Sequence, residues 1–390
     1  MFEIKGSKNT AKVMLPSEDM LDTETRRQIE TFVNHPAFEG PNIAIMPDTH
    51  AGMGAVIGFT MRMNGYVIPN VVGVDIGCGV DTYTLGEIPG FNPARLDKFI
   101  RERIPSGFAK RRRDPLAETA VSLYMTRADA ALADGDVAET VRATGQDAEN
   151  VRYSIGTLGG GNHFIEAGID SMGRLRLTIH SGSRNFGLRI ANFHQRRAKD
   201  AQGKNAEVRG LEYLPAKKQG AEYLRDMSVA QRYADLNRRV MGMILIREFF
   251  GLDFGRVERI TSVHNYIDFD DKIIRKGAIR AYQGERLVIP FNMEDGIIIG
   301  TGKSNREWNC SAPHGAGRVL SRRRAKETLD LAGARESMRE KGIFTTSLNK
   351  ETLDEVRQAY KDKELILRSI EPTVEVIDFI RPVYNFKASE

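Results

Sequence analysis

Apolar positions along this chain come in short runs punctuated by glycine and charge, with no single period sustained throughout. Asp22 to Val33 reads as a short helix that Pro36 stops, and Asn42 to Met46 as a strand. Gly52 to Val80 is glycine-rich and β-branched, which predicts short strands and tight loops. Phe91 to Arg103 and Leu116 to Leu132 predict helices. Leu175 to Ile179 alternates apolar and polar residues, which predicts a strand ending at His180. Ala216 to Phe250 predicts a long helical region broken near Gly220 and Gly242, and Arg259 to Val263 a strand ending at His264. Leu287 to Ile289 and Ile297 to Ile299 follow as strands, Ala325 to Arg339 and Leu353 to Tyr360 as helices, and Val374 to Ile380 as a last strand. Strands and helices mix without a βαβ rhythm, and no linker or repeat divides the chain. Residues 1–390 therefore read as one large mixed α+β domain, not a doubly wound parallel sheet.

Composition narrows the class. Hydrophobic residues at 41% and charged residues at 28% exclude wholesale disorder. No apolar run approaches a membrane span and the N-terminus lacks a secretory core, so no membrane partner and a cytoplasmic location are expected. With only Cys78 and Cys310, cysteine chemistry means metal ligation or nucleophilic work, not a disulfide framework. The net charge of +5 is compatible with a polyanion but identifies none.

Four of the seven histidines sit where a scaffold can hold them rigidly. His163 ends the turn Gly159-Gly160-Gly161-Asn162, His180 and His264 each follow an apolar strand, and His314 stands in Ala312-Pro313-His314-Gly315-Ala316-Gly317-Arg318. Asp75 and Cys78 lie three residues apart in a glycine-flanked loop, so both side chains can face one point. Carboxylate and imidazole suit manganese or zinc, and thiolate leans toward zinc, so residue types alone leave the metal open. Taken singly, each has a plainer reading as a packed histidine or an inert buried thiol. His35 and His194 read as structural or solvent-facing, His50 as equally suited to lining a site or packing, and Cys310 as a packed thiol. Gly300-Thr301-Gly302-Lys303-Ser304 mimics a P-loop, but Ile297 stands where that motif needs glycine and no long helix is expected after it. The basic runs Lys110 to Arg113 and Arg322 to Arg324 read as solvated faces, the second near enough to His314 in sequence to meet phosphate there.

Several of these segments together, in identity and order, resemble the RtcB RNA ligases. They are Met46 to Gly52, Gly73 to Val80, Leu158 to Glu166, His180 to Gly187, His314 to Arg318, Asp354-Glu355 with Ala359 to Asp362, and Lys387. The resemblance implies an RtcB-like fold with sheets around a deep, metal-containing cleft. It implies joining of RNA 2′,3′-cyclic phosphate or 3′-phosphate ends to 5′-hydroxyl ends, in RNA repair or tRNA splicing, with GTP and two manganese ions. By motif match, Asp75, Cys78, His163, His180 and His264 would hold the metals, with Cys78 bridging, and His314 would carry the guanylate. Asn162, Phe164, Glu166, Asn292, Arg318, Tyr360 and Lys387 would line the nucleotide site, and Arg184, Arg322 and Arg323 would meet RNA. The implied partners are broken RNA ends and, as for some such ligases, an activating protein.

The chain also departs from the family pattern. Pro69-Asn70-Val71-Val72-Gly73 replaces a proline-glycine-glycine stretch, and Gly77 stands where asparagine is frequent. Pro290-Phe291-Asn292-Met293-Glu294 replaces a PGSMG loop, Val356-Arg357 replaces Ala-Pro, and the Lys110 to Arg113 run is atypical. These mark a divergent branch. The competing readings are a two-metal phosphodiesterase or phosphatase without guanylation, which would need neither His314 nor Lys387, and a non-catalytic RNA-binding protein.

Overall fold

The computed structural model describes residues 1–203 and 206–388, and within them two sheets and one long helix organise the chain. The larger sheet has seven strands. Its order is Glu258–Val263, Gly79–Gly86, Leu175–Ser181, Phe164–Ile169, Val374–Lys387, Ile297–Gly302, Arg286–Pro290, and every neighbouring pair is antiparallel. Its edges approach each other, since Val288 N–H donates to Ser262 Oγ at 3.0 Å, so the sheet is nearly closed into a barrel. Val80, Phe164, Ile260, Val288, Ile297, Ile299 and Ile380 form one buried cluster among these strands. The second sheet runs Phe2–Lys5, Thr10–Val13, Ile43–Ile45, Phe59–Arg62, Ile273–Lys276, Asn265–Ile267. Asn265–Ile267 begins one residue after Glu258–Val263 ends, so His264 sits at the joint between the sheets.

The single mixed α+β architecture agrees with the sequence reading, while several elements differ in detail. The helix Gln219–Ile244 is not broken at Gly220 or Gly242, and it continues into the π-helical turn Leu245–Phe249. Gly242 serves packing, because a Cβ there would lie 2.7 Å from Tyr83 Oη. Leu116 to Leu132 is not one helix. It divides into Pro115–Ala117, Thr119–Ser122 and Arg127–Ala131, where Thr126 and Asp129 form a capping box that starts a new helix. Ala325 to Arg339 divides likewise into Arg322–Thr328 and Leu331–Glu340, with Asp330 capping the second. Leu353 to Tyr360 forms two 3₁₀ turns, Leu353–Glu355 and Arg357–Ala359, separated by the extended Val356.

Other elements have no sequence counterpart or are longer than expected. Phe164–Ile169 forms a strand although it does not alternate, because it is buried almost throughout. Val374–Lys387 runs well past Ile380, with its pairing shifted between Pro382 and Tyr384. The P-loop mimic lies largely in a barrel strand, and only the 3₁₀ turn Arg306–Trp308 follows it. His194 is buried against Asp226 at 2.8 Å, so it is structural and not solvent-facing. Arg111 departs from the solvated-face reading as well, being buried and paired with Glu118 at 2.8 Å.

Candidate active site

Four adjacent barrel strands present one ligand-type side chain each on the same rim. Cys78 immediately precedes Gly79–Gly86, His163 precedes Phe164–Ile169, His180 lies near the end of Leu175–Ser181, and His264 follows Glu258–Val263. The antiparallel register makes these the same end, since Val80 and Phe164 flank His180 across the ladder and Gly79 faces Val263. Cys78 Sγ lies 3.2 Å from His180 Nε2 and 3.4 Å from His163 Nε2. His180 Nε2 lies 3.4 Å from His264 Nε2, and Asp75 Oδ2 lies 3.0 Å from His163 Nε2.

This donor set fits a divalent cation. Leu158 O and Asn162 O take Nδ1 of His163 and His180 at 2.9 and 3.2 Å, which places the proton on Nδ1 and turns the Nε2 lone pairs inward. Burial pushes His180 and His264 well below the ordinary imidazole range, helped by His163 beside the first and His314 beside the second. Burial works against ionisation of Asp75, but its hydrogen bond and charge contact with His163 hold the carboxyl at about 2. Burial, then Asp75, pushes the Cys78 thiol up. A cation held there would supply the opposite field and favour the thiolate.

The long helix fixes this loop from behind. The buried Arg238 donates to Gly77 O at 2.9 Å and to Ser181 O at 3.1 Å. Gly77 adopts φ +70°, and a Cβ there would lie 2.7 Å from Gln231 Cα. Glycine at this departure from the family pattern lets the loop from Asp75 to Cys78 lie directly on the helix.

His314 follows the short strand Ser311–Pro313, which pairs with Ala278–Arg280. Its ring centroid lies 4.6 Å from that of His264. Asp48 Oδ2 meets His314 Nδ1 at 2.6 Å and accepts the His314 backbone N–H at 3.2 Å. The other ring nitrogen, Nε2, is free of hydrogen-bond partners among the described residues. A Cβ on Gly317 would come within 2.1 Å of Asp48 O, so the glycine lets the His314 loop close onto the Asp48 loop. Lys361 Nζ donates to Pro47 O at 2.7 Å and Thr49 O at 2.5 Å, gripping the carbonyls on both sides of Asp48. His50 lines the same space, and burial pushes it down to about 4 against the bond to Asp48 O.

A cavity of about 820 Å³ extends from His180 and His314 to Asn162, Phe164, Glu166, Tyr360 and Lys387. The buried Glu355 organises its far wall. It accepts from Lys387 Nζ at 2.7 Å, from Tyr360 Oη at 2.8 Å, and from Arg318. Burial opposes ionisation of Glu355, but Lys387, Arg318 and Arg322 hold it at about 2. Lys387 Nζ also stands 4.8 Å from the Phe164 ring centroid.

The remaining sequence candidates are placed less uniformly. Asn292 lines the cavity but commits its side chain to its own turn, accepting from Glu294 N and Asp295 N and donating to Asp295 Oδ2 at 2.8 Å. Arg322 lines the cavity while paired with Asp354 at 3.1 Å. Arg323 is exposed, pairs with Glu327 at 2.7 Å and is not among the residues lining the cavity. Arg184 packs against the loops near Asp75, donating to Gly107 O at 3.1 Å, and burial pushes its guanidinium down. Sequence reasoning passed over Asp48, Glu355, Lys361 and Asn385 as site residues. The first three stand inside the quoted motifs, which was the available signal. Asn385 lies only two residues from Lys387.

A family model described as tRNA-splicing ligase RtcB matches residues 28–388. The "RNA-splicing ligase RtcB" of Escherichia coli (strain K12) is 31% identical over 410 aligned positions, covering 99% of each chain. The "tRNA-splicing ligase RtcB" of Pyrobaculum aerophilum is 28% identical, covering 83% of each chain. That of Nanoarchaeum equitans is 27% identical, covering 84% of this chain and 83% of the relative.

Proposed function

Because the chain belongs to the RtcB family, we propose that it is a GTP-dependent RNA ligase that joins a 3′-phosphate or 2′,3′-cyclic phosphate end to a 5′-hydroxyl end through a guanylated His314. The observation that carries this reading is the Asp48–His314 pair. A carboxylate that takes Nδ1 leaves Nε2 as the nucleophilic nitrogen, and that ring borders both the metal-donor cluster and the cavity.

In the first step the Nε2 lone pair forms a bond to the α-phosphorus of GTP and pyrophosphate leaves. Asp48 stabilises the imidazolium charge that develops. An RNA 3′-phosphate oxygen then takes the GMP group from His314, and the 5′-hydroxyl oxygen attacks the activated 3′-phosphorus and releases GMP. A cyclic end is first opened by water to a 3′-phosphate. Asp75, Cys78, His163, His180 and His264 would hold two manganese ions, Cys78 lying within reach of both His163 and His180, and the metals would supply charge neutralisation at phosphate. Lys387 can donate to a guanine O6 and Glu166 can accept from its N1–H. Tyr360 and Phe164 offer aromatic faces, and Arg318 bears the positive charge on that wall.

Incubation with α-labelled GTP and manganese, followed by peptide mapping, tests this. The expected result is an acid-labile GMP adduct on His314, absent in His314→Ala, and joining of a cyclic-phosphate RNA to a 5′-hydroxyl RNA. An adduct on Lys387, or phosphate-ester hydrolysis with no adduct, would reject it.

A further inference from the structure

Glu166 and Asn385 stand directly opposite each other in the pairing of Phe164–Ile169 with Val374–Lys387. Each is only 2% exposed, and both line the cavity. Asn385 Nδ2 donates to Glu166 Oε2 at 2.8 Å. With Glu166 in its carboxylate form, that contact orients the carboxamide, because only its NH₂ end can face a carboxylate. Asn385 Oδ1 and Glu166 Oε1 are then left buried without a hydrogen-bond partner among the described residues. In that form two neighbouring buried acceptors are unpaired, which is costly without a ligand, and donors on a ligand would satisfy them.

The same end of the cavity holds a donor, Lys387 Nζ. Lys387, Glu166 and Asn385 therefore offer one donor and two acceptors, carried on the same two strands. The hydrogen-bonding edge of guanine presents the complement: an acceptor at O6 and donors at N1 and at the exocyclic 2-amino group. Adenine offers an amino donor and an unprotonated N1, which leaves the Glu166 acceptor unmatched.

We propose that Asn385 is a specificity residue for the nucleotide, its Oδ1 accepting from the 2-amino group of guanine while Glu166 Oε1 accepts from N1–H. This inference rests on the guanine-nucleotide reading above and adds a second reading group to it. Hypoxanthine retains O6 and N1–H but lacks the 2-amino group, so ITP leaves Oδ1 unpaired while keeping every other contact. A purely structural Asn385, one that only braces Glu166, would not distinguish GTP from ITP.

The test is equilibrium titration of GTP, ITP and ATP into the full chain carrying His314→Ala, so that no nucleotide is consumed. That chain should bind GTP on the order of tenfold more tightly than ITP. Adding Asn385→Leu should bring the GTP and ITP affinities within about threefold, while both stay ahead of ATP through Glu166. Equal affinities for GTP and ITP with Asn385 present would overturn the proposal, and that comparison needs no substitution at the residue in question. A tenfold GTP preference that survives Asn385→Leu would overturn it as well. If the His314→Ala chain melts like wild type and binds no guanine nucleotide, the underlying function reading fails, a result distinct from loss of the ITP discrimination alone.

Discussion

At the scale of single residues, Asp48 decides what His314 can do. By holding Nδ1 at 2.6 Å it fixes both the tautomer and the direction of Nε2, the nitrogen proposed as nucleophile. Asp48→Asn should slow GMP transfer to His314 by roughly 10²–10⁴-fold, with the metal content unchanged. Single-turnover labelling beside metal analysis checks this, and a wild-type labelling rate would reject it. Cys78 lies within reach of two histidines, so Cys78→Ala should empty the metal site more completely than His180→Ala. Normal metal occupancy in Cys78→Ala would rule out a bridging thiolate. Glu166 supplies a pH dependence. Burial lifts it to about 8, opposed by the Asn385 bond and by Lys387, so near neutrality the empty site holds the acid. Only the carboxylate offers acceptors at both oxygens. Guanine-nucleotide affinity should therefore rise by up to about tenfold per pH unit toward 8 and level off above it, and Glu166→Gln should flatten that rise. The linked stability runs the other way. The folded empty protein keeps a proton that the unfolded chain releases above 4.5, so this contribution is lost as pH rises from 4.5 through about 8.

At the scale of elements, the helix Gln219–Ile244 is the template for the site. Its Asn237 accepts from Gly156 N and Thr157 N and donates to Gly182 O, while Arg238 holds Gly77 and Ser181. Side chains from successive positions thus pin three of the segments that carry the candidate metal ligands. The close fit of helix to sheet makes Gly242 sensitive. Gly242→Ala should cost about 1–3 kcal/mol through overpacking against Tyr83, read as a lower melting temperature. An unchanged melting temperature would show that Tyr83 yields freely. The divergent loops also answer one another. Glu294 pairs with Lys341 and Ser337, and Asp295 pairs with Arg357, itself a departure from the family pattern. The altered rim is anchored to the helix Leu331–Glu340 and to the Arg357 turn through pairs that these residues make possible.

Across the whole molecule, the basic run after His314 is divided by the direction of its side chains. Arg322 and Arg324 line the cavity, whereas Arg323 does not and pairs with Glu327 in solvent. If Arg324 meets RNA phosphate, Arg324→Ala should weaken RNA joining and reduce its salt dependence. Arg323→Ala should leave both unchanged. Joining rates over a range of salt concentrations check the pair, and equal behaviour of the two variants would reject the distinction. No helix among the described residues is long and apolar enough to cross a membrane.

The sequence by itself determined which residue types stand in rigid settings. Cys78, His163, His180, His264 and His314 could be singled out because rare side chains sit beside glycine turns or at strand ends, which are local features. The helices Thr23–Asn34 and Pro93–Arg103 were legible for the same reason, since capping and periodicity act within a few residues. Proximity was not local. Asp48 and His314 are 266 positions apart, and Glu355 meets Lys387 across 32. Only the packing of separate loops and turns, such as Gly317 against Asp48 O, brings such pairs within hydrogen-bond distance. Tertiary burial likewise kept the helix continuous through Gly242 and hid the strand Phe164–Ile169 from any test of alternation. That Asn385 Oδ1 lacks a partner also turned on packing, because an unpaired amide oxygen exists only once its surroundings are fixed.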